Sequence, residues 1–136
     1  MEQTRTSTIG LPRAVLVADG AFCALYGAAA EIGASPISDF VGMEGASLLI
    51  VGGAVLFLYG AWLAWEAARC PVGRWLVLVV ALLNIAWVAG EVFILASGVP
   101  ALTAEGRWIV GITAVIVALF AEAQLYAYWR MRRTPA

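Results

Sequence analysis

Asn84 and Glu91 stand seven residues apart in WLVLVVALLNIAWVAGEVFILASG (residues 75–98), a run otherwise made of apolar and small residues. Seven residues is close to two helical turns, so the amide and the carboxyl share one helix face, with Trp87 beside them. Asp19, Glu122 and Gln124 lie in two further apolar runs. A carboxyl in such a setting can accept hydrogen bonds, pass a proton or hold a cation. Facing hydrocarbon is costly: on insertion scales an aspartate at the centre of a spanning helix costs roughly 2.5–3.5 kcal/mol. Other helices or a bound ligand must offset that cost.

The totals agree with a membrane setting. Of 136 residues, 63% are hydrophobic and only 12% charged, and the mean hydropathy is +0.92. Soluble domains run at roughly half apolar and a quarter charged. At a net charge of −1 and without a basic run, no nucleic-acid partner is expected. All eight cations are arginines and histidine is absent, which removes the commonest ligand for haem, zinc or di-iron. No cofactor or metal is expected. Cys23 and Cys70 are expected in mid-membrane and at one face of it, unpaired, with Cys23 a small packing residue.

Four helices must position the polar groups, over about residues 12–33, 45–69, 74–97 and 104–130. The fold class is therefore all-α: a transmembrane, antiparallel four-helix bundle filling a single polytopic membrane domain. Pro12 suits a helix start, the first loop is GASPISDFVGMEG, and Pro71 with Gly73 breaks the chain between the second and third spans. Gly98 and Pro100 end the third span, and Thr103 is a plausible N-cap for the fourth. A cleaved leader is the rival reading of the first span. Arg13 directly before the apolar run and Asp19 inside it argue against cleavage. The stretch from Glu44 to Arg69 lines up with the stretch from Glu105 to Arg133, as two tandem hairpins of like orientation would.

Seven arginines fall on one side of this arrangement and only Arg107 on the other, so both termini are expected to be cytoplasmic. Trp62, Trp65, Trp75 and Trp129 gather at the same interface, as an aromatic belt does. Small residues that let membrane helices approach closely form stripes: Gly20, Ala24, Gly27 and Ala28; Gly53, Gly60, Ala61 and Ala64; Ala86 and Gly90; Gly111, Ala114, Ala118 and Ala121.

At about 1.5 Å per residue, Asp19 lies about 9 Å in from Arg13, Asn84 about 13 Å in from Trp75 and Glu122 about 12 Å in from Arg130. An acid, an amide and an acid on three helices are thus expected to form one intramembrane layer, joined by Gln124 and by phenols from Tyr26, Tyr59 and Tyr126. In the outer half Glu91 has Arg107 as its available cation. The layer reads first as structural glue between helices. A proton or cation site is the second reading, and acid catalysis by a carboxyl pair on a lipid-like substrate the third.

With VLVADG (Asp19), LLNIAW (Asn84, Trp87) and AEAQLYAYWRMRR (Glu122, Gln124), the chain resembles the uncharacterised small four-helix integral membrane proteins of bacteria. That resemblance implies a cytoplasmic (inner) membrane location and no assigned chemistry, and Glu91 departs from the pattern. In size the chain is also similar to small multidrug-resistance transporters, whose first-helix glutamate has no match in the context of Asp19. The expected role is a non-enzymatic accessory or self-associating component, a homo-oligomer or part of a larger membrane complex in the lipid bilayer. The alternative is a small proton- or cation-coupled transporter acting as an oligomer.

Overall fold

A computed structural model describes residues 3–69 and 71–134, with side chains from Gly10 onward, so the position expected of Cys70 falls outside the described residues. The described chain is all-helical, without strands: α1 (Gln3–Ile32), α2 (Ala34–Val41), α3 (Ser47–Ala68), α4 (Arg74–Ser97) and α5 (Ala104–Arg133). Four of them, all but α2, are long and apolar enough to cross a membrane. Large apolar side chains such as Leu25, Leu58 and Phe93 point outward on them, as they do where the surrounding solvent is acyl chain.

Two boundaries differ from the sequence reading. α1 continues on the N-terminal side of Pro12 instead of starting there. A proline inside a helix removes one backbone donor, and here it does so within a helix that runs on beyond the apolar stretch. The segment read as a loop contains α2. Pro36 falls in the first turn of α2, where backbone N–H groups have no intrahelical acceptor to lose. Gly42, at a φ of 82°, ends α2 by donating its N–H to the Ser38 carbonyl. The N-cap expectation holds: Thr103 Oγ1 accepts from Gly106 N at 3.0 Å. The same hydroxyl donates to the Phe40 carbonyl at 2.8 Å, and Thr103 N donates to the Val41 carbonyl at 2.9 Å. α2 is thereby fastened to the start of α5.

The spans pack as two hairpins, α1 with α3 and α4 with α5, and the hairpins meet through α1 and α5. Small residues explain the first pairing. A Cβ added at Gly20 would lie 2.8 Å from the Gly60 carbonyl oxygen, and one added at Gly53 would lie 2.7 Å from that of Gly27. One added at Gly60 would overlap the backbone of Gly20 and Ala24. The stripe expected on α4 is not an interface, since Ala86 and Gly90 are exposed, and Gly111 of α5 has open space beside it. On α5 it is Ala114 and Ala121 that are buried.

At the end carrying the termini, Leu16, Leu63, Ala67, Val77, Val80 and Ala127 form a closed apolar core. Arg13 reaches across from α1 to the last carbonyls of α3, donating to Ala67 at 2.9 Å and Ala68 at 3.3 Å. A cation there complements the C-terminal end of the helix dipole. Trp62, Trp65, Trp75 and Trp129 are exposed at this end, and Arg74 and Arg133 lie over the rings of Trp75 and Trp129. The Glu66–Arg69 pair forms at 3.6 Å on the surface.

Replacing Gly60 by alanine is expected to destabilise the bundle by about 1–3 kcal/mol, because the obstructing atoms are backbone. Gly111→Ala is expected to be neutral. Reversible detergent denaturation of the two variants checks this, and equal stabilities would mean that α1 and α3 do not meet at Gly60.

Candidate functional site

Asp19 of α1, Asn84 of α4 and Gln124 of α5 converge in the interior. Asn84 Nδ2 donates to Asp19 Oδ2 at 2.8 Å and to Gln124 Oε1 at 3.0 Å. Gln124 Nε2 donates to the same Asp19 oxygen at 2.6 Å. The other carboxyl oxygen accepts from Cys23 Sγ, one turn along α1, at 3.6 Å. Asp19 and Gln124 are fully buried and Asn84 nearly so. Three helices, and both hairpins, are therefore tied at one carboxyl.

Glu122 does not join them. It is exposed on the outer side of α5, over a shallow groove formed with Ile85, Val88, Ala121 and Leu125. Two residues is about 200° around a helix, so Glu122 and Gln124 cannot both turn inward. Gln124 fits the inward place better, since its amide both donates and accepts. A second carboxyl there would set like charges together in a low dielectric. The expected layer thus forms with Gln124 in place of Glu122, and the carboxyl pair proposed for catalysis is not assembled. Tyr126 is also exposed, beside Trp129.

Beyond this cluster, towards the α2 end, the four spans enclose a cavity of about 240 Å³. Asn84 and Cys23 lie at its floor, and Glu91 and Thr113 line its far end about two helical turns away. Phe22, Tyr26, Tyr59 and Trp87 supply aromatic wall. α3 and α4 are consecutive yet do not pack along their length. Val55 and Leu83, which face the cavity from these two helices, are exposed and mark its mouth. The site opens sideways, where a bilayer would be.

Glu91 is buried, with 8% of its surface exposed. Its Oε1 accepts from Thr113 Oγ1 at 2.7 Å. The pairing expected with Arg107 does not form: Arg107 donates instead to the Leu95 carbonyl at 3.2 Å, closing the last turn of α4. Among the described residues, the buried side-chain polar atoms without a hydrogen-bond partner are Glu91 Oε2 and Tyr59 Oη. Both residues line this one cavity. A buried polar atom left unsatisfied costs about 1–3 kcal/mol, so two in one wall mark this part of the interior as the one suited to receive a polar group. No group of three or more His, Cys, Asp or Glu side chains suited to a metal comes together among the described residues.

Sequence reasoning missed Thr113 and the thiol of Cys23. A signal for Thr113 existed: it stands eleven residues before Gln124, about three turns, and so shares its inward face. Cys23 follows Asp19 by four residues, the spacing at which side chains on one helix meet.

Asn84→Leu is expected to cost about 1–3 kcal/mol, because it withdraws a donor from Asp19 and another from Gln124. Glu122→Leu is expected to leave the fold of the isolated chain unchanged. Denaturation of both variants in one detergent separates them, and equal losses would place Glu122 in the network.

No protein-family model, curated protein or solved structure matches the chain, and the resemblance carried by its three short motifs gains no family assignment from those comparisons.

Proposed function

We propose that this small integral membrane protein is a non-enzymatic binding component that takes a compact, mostly apolar molecule sideways from the bilayer, between α3 and α4. The observation that carries this reading is the aromatic-lined cavity, open on the flank where two consecutive spans fail to pack. Its volume, about 240 Å³, exceeds the roughly 150 Å³ of an engineered apolar cavity that accepts benzene. It therefore has room for a body larger than one ring. The concentration of arginines at the end bearing the termini supports a cytoplasmic membrane with both termini on the cytoplasmic side. Such a site serves either as a carrier's binding pocket or as the ligand-sensing part of a larger membrane complex.

A specific observation also favours self-association. Glu122 is exposed within a span, beside the small residues Ala118 and Ala121. A carboxyl left in acyl chains is costly, and polar side chains between membrane helices contribute about 0.6–2 kcal/mol to association. A second copy related by a two-fold axis along the membrane normal sets its own Glu122 at the same depth, where two carboxyls can share a proton.

Two measurements test these readings. With 2-phenylethanol as the probe, the protein in lipid nanodiscs is expected to show saturable heat above protein-free nanodiscs. Leu83→Trp, which fills the mouth from an exposed position, is expected to weaken that binding at least about tenfold, or 1.4 kcal/mol. Unchanged affinity in that variant would remove the cavity from consideration. For association, sedimentation in detergent is expected to show a dimer that Glu122→Leu weakens about tenfold, and a wild-type monomer at all concentrations would rule the second reading out.

A further inference from the structure

The buried polar atoms of the cavity wall left without a partner are both oxygens. Both amide hydrogens of Asn84 are spent, on Asp19 and on Gln124. The Cys23 thiol is spent on Asp19, and the Thr113 hydroxyl on Glu91. What remains unsatisfied is an oxygen of Glu91 and the hydroxyl of Tyr59, which can accept as well as donate. The Trp87 indole, one turn before Glu91 on the same face, acts as a side-chain donor towards the Glu91 carboxyl, yet by hydrogen-bond geometry Oε2 still has no partner. No arginine contributes to the wall. A molecule that completes the Glu91 carboxyl brings a hydrogen to donate, and positive charge is favoured by both the carboxyl and the ring faces.

We propose that the cavity holds a protonated organic amine, its ammonium donating to Glu91 Oε2 and its apolar body lying among Phe22, Tyr26 and Tyr59. This rests on the cavity being a ligand site, and it names the ligand's chemical class. The arrangement suits an ammonium with at least one N–H better than a quaternary one, because the unsatisfied Glu91 oxygen calls for a donor. It also assigns unlike roles to the two inward acids. Asp19 is saturated by side chains and holds the helices together, whereas Glu91 keeps one oxygen for the guest.

The test compares two probes of nearly the same shape, 2-phenylethylammonium and 2-phenylethanol, titrated calorimetrically into the protein in nanodiscs near pH 7. Wild type is expected to bind the amine at least about tenfold more tightly than the alcohol, a difference of about 1.4 kcal/mol. Glu91→Gln keeps an oxygen for the Thr113 hydrogen bond and is expected to abolish the preference while retaining alcohol binding. Equal wild-type affinities for amine and alcohol would overturn the amine assignment and leave the cavity as a neutral-ligand site. Binding of neither probe would overturn the ligand site itself, with water as its sole occupant. The wild-type comparison decides the matter even if a variant does not fold.

Discussion

A single carboxyl, that of Asp19, accepts hydrogen bonds from side chains on two other spans and from its own helix, and the packing of the bundle depends on it. In a bilayer the hydrophobic effect does not drive helix against helix, because acyl chains solvate leucine as well as another helix does. Packing at small residues and hydrogen bonds between side chains do that work. Close glycine contact holds α1 to α3, but such a stripe is absent between the two hairpins. There the Asp19–Asn84–Gln124 cluster takes its place. The geometry is restrictive, since both hydrogens of the Asn84 amide are committed to different helices. A shift of one residue along α4 would break both bonds.

This division of labour leaves one flank of the bundle open. Where α1 meets α3, glycines allow backbone contact. Where α3 faces α4, bulky side chains such as Tyr59 and Trp87 line a space instead of closing it. The core at the termini end is filled by Leu16, Leu63 and their neighbours, and α2 is bonded to α5 at the opposite end. The opening is thus confined to the middle of the spans, between two fastened ends. Cavities of this kind persist when the surrounding contacts over-determine the helices that frame them.

Much of this was legible in the sequence, and the exceptions have physical causes. Four spans followed from apolar length and the N-cap from Thr103, while the small-residue stripes marked close approach without telling which helices meet. The short α2 was hidden because Pro36 and Ser35 read as loop residues; in a first helical turn neither has a cost. The small residues of α4 misled because glycine and alanine permit close approach without requiring it. At the polar layer, Glu122 has the depth of Asp19 and Asn84, but depth does not tell the face of a helix. The angle between Glu122 and Gln124 was available in the sequence, and with it the fact that only one of them can turn inward. The cavity was not legible at all, since a void between helices depends on how far apart they stand, which no residue spacing encodes.

The contrast between the two inward carboxyls argues where a guest would go. At Asp19 every approach is blocked by a donor already bonded to it, so a ligand would have to displace an amide or a thiol and leave those groups unsatisfied in turn. At Glu91 one oxygen is held by Thr113 and the other faces a space already formed. Binding there adds a hydrogen bond without breaking one. Sequences tend to satisfy their buried polar groups, and departures concentrate where function requires them. A chain able to satisfy Asp19 completely, with three side chains from three helices, shows that its fold can saturate a buried acid. Glu91, about two turns away on α4, is left half-satisfied in the same interior, and that asymmetry is what separates a structural carboxyl from a receiving one.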